Sequence, residues 1–148
     1  MTWLKILHIA TAVLWLGNFV VTGVWSIRAF RTGNAELRRF AVREILFTDL
    51  WFTFFVGAAV IMSGFGLSSL LGMNPWAVLW TRMALIASIG SGIAWLAIVL
   101  PLEFRLKRLA TGTDLHAIVR AFAWWNLVGW TITVVLFSVI YLMVARPT

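Results

Sequence analysis

His8, Thr11, Trp15, Asn18 and Thr22 recur at i, i+3, i+7, i+10 and i+14 in the first apolar stretch of the chain. That spacing stacks side chains along one side of a helix. The stretch runs from Trp3 to Ile27, long enough to cross a bilayer at about 1.5 Å per residue. Lipid satisfies no hydrogen bonds, so this polar stripe must face protein, water or a ligand. An imidazole so placed can ligate a metal or move a proton.

His8 lies about 7 Å inside the outer end of its helix. Arg82 falls at a similar depth in the third apolar run, with Tyr141 and Met143 near the outer end of the fourth. Gathered in one layer, these groups would form an outward-facing pocket. His8 would bind a metal or shuttle a proton there and Arg82 would hold an anion such as a carboxylate, with Thr11, Trp15 and Tyr141 as wall residues. The alternative has His8 bonded to a neighbouring carbonyl and Arg82 reaching the surface along its aliphatic stem. Asp49, at the inner end of the second run, is expected to pair with Arg43 or Arg105, the alternative being a proton path. Asn126 and Thr133 are expected to hydrogen-bond between helices. His116 falls in a basic link, solvated and on the opposite side of the membrane from His8.

The elements that must hold these residues follow from composition. A chain of 148 residues that is 62% hydrophobic and 11% charged cannot cover itself with a polar surface, so it belongs in a membrane. Four apolar runs, about 3–27, 48–71, 77–101 and 121–145, are too long and unbroken for barrel strands. The expected fold is an all-α membrane protein: an antiparallel bundle of four transmembrane helices forming a single domain over 1–148. The first run reads as a retained span, its apolar core being too long for a signal peptide, with no small-x-small pattern after it.

The net charge of +7 is an orientation signal rather than a mark of nucleic acid, which is not an expected partner. Arg28, Arg31, Arg38, Arg39 and Arg43 lie between runs one and two; Arg105, Lys107, Arg108 and Arg120 lie between runs three and four. The positive-inside rule puts both links in the cytoplasm and both termini outside, giving a multi-pass protein of a bacterial inner membrane with its termini in the periplasm. The expected partners are the lipid bilayer and either a homo-oligomer or a larger membrane complex.

The link Arg31-Thr32-Gly33-Asn34 holds a glycine to end one helix and an asparagine to cap the next; Gly112-Thr113-Asp114 repeats the device. Pro101 should kink its helix rather than stop it, because Leu102 to Leu109 remains helix-like. Ser88 and Gly92 form a small-xxx-small pair suited to close packing inside the bundle. Trp15, Trp95 and Trp130 lie deep in their runs, where an indole must pack on protein or on a flat ligand. With no cysteine, disulfides and thiolate sites are excluded. No phosphate loop, HExxH pair or serine elbow occurs.

Several short motifs carry a resemblance. Trp3-Leu4-Lys5-Ile6-Leu7-His8 with Ala12-Val13-Leu14-Trp15-Leu16-Gly17, the entry Trp80-Thr81-Arg82, and the closing Tyr141-Leu142-Met143-Val144-Ala145-Arg146-Pro147 resemble an uncharacterised family of bacterial four-span membrane proteins. More distantly they resemble the CopD copper-resistance membrane proteins and the HemJ-type protoporphyrinogen oxidases. The HemJ resemblance implies that His8 matches a first-span histidine associated with haem b, and that Arg82 stands in place of a third-span lysine. Arginine does not readily release a proton, and Ser91-Gly92-Ile93-Ala94-Trp95 lacks a histidine those enzymes often carry. The resemblance therefore extends to tetrapyrrole binding and not to porphyrinogen oxidation.

Three functions are expected to compete. In the first, His8 is the axial ligand of haem b or another tetrapyrrole in a redox-related role, with Arg82 near a propionate and tryptophans against the ring. Tyr141, Met62, Met143 or a second subunit's His8 would complete the coordination. The second is copper handling by His8 with the thioethers of Met62, Met73 or Met143. The third is a noncatalytic accessory or assembly subunit whose stripe only packs helices.

Overall fold

Each apolar run forms a helix that continues past it toward the basic links: α1 Thr2–Arg31, α2 Ala35–Leu70, α3 Leu79–Leu109 and α4 Leu115–Ala145. The computed structural model describes residues 2–146; Met1, Thr148 and Pro147, the last residue of the closing motif, lie outside the described residues. All four helices are long and apolar enough to cross a membrane, and no strand occurs among the described residues. The chain is an all-α, four-helix membrane protein, as its composition requires.

Capping chemistry sets the turns. Gly33 takes φ +71° after α1, a conformation that costs glycine little. Asn34 then caps α2, its side chain accepting from the backbone N–H groups of Glu36 at 2.8 Å and Leu37 at 3.1 Å. Asp114 caps α4 by accepting from Ala117 N–H at 2.9 Å. Gly112 keeps an ordinary φ, so the two links share the cap and not the glycine device. At the opposite end Gly72 takes φ +63°, and Met73 N–H reaches back to the Ser68 carbonyl at 2.9 Å, a Schellman closure of α2.

Two helices change pitch within the bundle. Residues Asp49–Val56 of α2 and Trp95–Val99 of α3 are π-helical. The second stretch directly precedes Pro101, whose ring removes a backbone donor, and α3 then continues to Leu109.

α1 packs along α2 and against α4, and α3 packs along α4. α2 and α3 meet mainly at the end that carries the basic links. There Val42, Ile45, Leu106 and Ile118 are buried, and Phe30 of α1 stacks on Phe122 of α4 with centroids 3.6 Å apart. Packing without a hydrophobic drive needs close shape matching. Two glycines supply it: the Trp130 ring lies over Gly23 and the Trp15 ring over Gly57. Ser88 and Gly92 do not act this way, since a Cβ at Gly92 would meet nothing within 4 Å. Toward the His8 end the helices enclose a cavity instead of closing on one another.

Candidate functional site

The stripe on α1 faces the bundle as its spacing requires: Thr11, Trp15 and Thr22 are buried, and His8 and Asn18 are half-buried. His8 turns its ring toward α2, with Nδ1 3.1 Å from the Val60 carbonyl oxygen and 3.0 Å from Ser63 Oγ. The Ser63 hydroxyl also donates within its own helix, 2.6 Å from the Ala59 carbonyl and 3.0 Å from that of Val60. A hydroxyl carries one proton, so Ser63 presents a lone pair to His8. Both neighbours of Nδ1 are thus acceptors, and Nδ1 must carry the ring proton. In the neutral ring Nε2 then keeps its lone pair, and it has no hydrogen-bond partner among the described residues. Gly64 makes room for the ring, for a Cβ there would stand 3.3 Å from His8 Cε1.

His8 lines a cavity of about 390 Å³, within the size range of cofactor and small-molecule sites. All four helices contribute to it, among them His8 and Ala12 of α1, Gly64 of α2, Ala84 of α3, and Leu136 and Met143 of α4. Small residues from three helices create the space. Some of the lining is also exposed on the outside of the bundle, namely Ile9 and Val13 of α1 and Ile140 and Val144 of α4. The cavity lining therefore reaches the lateral surface of the bundle between α1 and α4. Its walls are almost wholly apolar, with His8 the one imidazole and Met143 the one thioether in the lining.

The other residues singled out in the sequence divide. Trp15 forms part of the wall; its indole N–H is buried without a partner. Thr11 spends its hydroxyl on the carbonyls of Leu7, at 2.7 Å, and His8, at 3.1 Å, in its own helix. Arg82 and Tyr141 are exposed and stand outside the lining, so equal depth does not bring the four groups of the expected layer together. Helical phase is the reason. Ala84, Leu85 and Ser88 face the cavity, and Arg82 is turned from Ala84 by about 200°. Tyr141 follows the lining residue Ile140 and points about 100° away from it. Met62 is 73% exposed on the lipid side of α2. Among the described residues no group of three or more His, Cys, Asp or Glu side chains could hold a metal ion.

Asp49 does not pair with arginine. It is 3% exposed, and its Oδ1 accepts from Asn18 Nδ2 at 3.0 Å and Thr53 Oγ1 at 3.3 Å, while Oδ2 accepts from Trp95 Nε1 at 3.4 Å. Among the described residues the one salt bridge is Arg43 with Glu44, on the surface. Arg43 is six residues from Asp49, about 240° around the helix and off the buried face. Beside Asp49 lies Glu103 of α3, within hydrogen-bonding and Coulombic reach of it. Glu103 was not singled out by its sequence context. It is 1% exposed, and its Oε1 accepts from Trp125 Nε1 at 3.1 Å. The available signal was phase: Trp95, Val99, Glu103 and Leu106 recur at i, i+4, i+8 and i+11, one face of α3. Asn126 and Thr133 do not bridge helices, since they bond the carbonyls of Phe122 and Gly129 in α4 itself.

Four helices long and apolar enough to cross a membrane define a multi-pass integral membrane protein. More narrowly, the sequence pattern of the family described as "Predicted integral membrane protein (DUF2269)" matches residues 2–147, and the chain belongs to that family. No curated protein and no solved structure matches the chain.

Proposed function

We propose that the protein holds haem b, or a related tetrapyrrole, in the cavity at His8 and serves a redox-related role. The observation that carries this reading is the state of the imidazole. Metal-ligating histidines almost always donate the second ring N–H to a carbonyl, carboxylate or water, which fixes the tautomer and raises the basicity of the ligating nitrogen. Val60 and Ser63 do this for His8. The apolar walls and their reach to the lateral surface suit a flat, largely hydrophobic molecule that partitions into lipid.

When bound, haem would supply a reversible one-electron couple set by its axial ligand and the dryness of the site. His8 Nε2 would hold the iron, Val60 and Ser63 would orient His8, and Trp15 would form part of the wall. Met143 lines the same space and is the candidate for a second ligand. Arg82 has no part in this reading. The donor set favours haem over copper, for His8 and Met143 alone make a two-donor site.

Adding haemin to the purified protein should give a Soret band that saturates at one haem per chain. No saturable band would leave the accessory-subunit reading standing in its place.

The basic links support the orientation proposed here, that of a bacterial inner-membrane protein with both termini periplasmic. A cysteine at position 74 should react with an impermeant thiol reagent added from outside, and one at position 112 should not. The reverse labelling would overturn the topology.

A further inference from the structure

Toward the basic links, remote from the His8 cavity, the bundle holds two carboxyl groups with no cation in contact. Asp49 and Glu103 are both buried and lie within hydrogen-bonding reach of each other. Among the described residues no other titratable side chain faces them. Arg28 and Arg31 of α1, Arg43 of α2, Arg105 of α3 and Arg120 of α4 are all exposed, and Glu44 turns outward to Arg43. Two bare carboxylates side by side in a dry interior repel each other and forfeit their hydration, and one proton between them relieves both penalties.

The donors around the pair say where that proton sits. Asp49 receives three hydrogen bonds, from Asn18, Thr53 and Trp95, an arrangement that suits a carboxylate. Glu103 receives one, on Oε1, and its Oε2 is fully buried with no partner. A bare oxygen there is costly, whereas an O–H directed at Asp49 is satisfied. The geometry points to a binding site for one exchangeable proton, carried on Glu103 Oε2 and donated to Asp49. Binding takes the proton from water and release returns it; only an O–H bond forms or breaks, and no electron moves.

Two further features set this pair apart from structural glue. Asp49 opens the π-helical stretch of α2 and Trp95, its indole partner, opens that of α3. Single π turns are rare and cluster at functional sites, and here both converge on one carboxylate. Next to Asp49 is a space of about 20 Å³, lined also by Thr22 and Asn126, and Asn126 Oδ1 is buried without a partner. That is room for one water with polar neighbours, a carrier for exchange. The inference does not depend on haem at His8.

Infrared spectra of the full-length protein in H₂O and D₂O at neutral pH test it. The protein should show the carbonyl stretch of a protonated carboxylic acid, shifted down in D₂O, lost in Glu103→Gln and kept in Glu44→Gln. Should Glu103→Gln fail to fold, carbon-13 labelling of glutamate side chains in the unaltered protein should move the same band. Absence of the band, or a band unmoved by both the substitution and the labelling, would overturn the proton site.

Discussion

Replacing His8 with Ala should abolish haem retention, with no Soret band in protein purified from haem-replete cells and affinity for added haemin lower by at least about 100-fold. Disturbing only the groups that orient a metal-bound histidine commonly costs about 10–100-fold, and this substitution removes the ligand itself. Met143 is the one other soft donor in the lining and cannot replace an imidazole in strength or direction. The fold should persist, because His8 is half-buried and its partners Val60 and Ser63 keep their bonds within α2. Arg82→Ala, at an exposed position outside the lining, should leave the band in place. If both variants lost the band equally, the loss would report on the fold and not on ligation.

The largest effect on stability is expected at Asp49. Asp49→Ala removes the acceptor of the Asn18 amide, the Thr53 hydroxyl and the indole N–H of Trp95. It also removes the acceptor beside Glu103. Thr53 can rebond within its own helix and Asn18 Nδ2 keeps Thr53 Oγ1 as an acceptor at 3.3 Å, but Trp95 is left with none. Each stranded buried donor costs about 1–3 kcal/mol, and with the Trp95 N–H and the Glu103 carboxyl both losing their acceptor the loss should reach at least about 2 kcal/mol, read as a lower unfolding midpoint in detergent. Asp49→Asn keeps a carbonyl oxygen for two of the donors and should cost less. Arg43→Ala should fall within about 0.5 kcal/mol, as for other surface changes. Equal losses for Arg43→Ala and Asp49→Ala would restore the ion pair that the sequence suggests.

The spans could be read from the sequence because lipid imposes one requirement throughout: long apolar runs whose backbone bonds close within each helix. The caps were readable too, as Asn34 and Asp114 act within a few residues of themselves. The stripe from His8 to Thr22 faces the bundle because depth and phase are both fixed within a single helix. Relations between helices were not readable in this way. Arg82 matches His8 in depth, but phase turns it outward, and depth alone could not reveal that. Asp49 sits near arginines in the sequence, and its partners outside its own helix come from α1 and α3. Ser63, which with the Val60 carbonyl flanks His8 Nδ1, is an ordinary small residue in an apolar run until α1 is laid against α2. Glu103 lies just past Pro101 and looks like the first charge outside the membrane, yet its phase with Trp95 and Leu106 carries it into the core.

The most direct measurement is the absorbance spectrum of the protein purified from haem-replete cells, taken before and after dithionite. Haem held by His8 predicts a Soret band in the oxidised protein that shifts and sharpens on reduction, at a stoichiometry near one haem per chain. A correctly folded protein that shows no Soret band and takes up no added haem would contradict it.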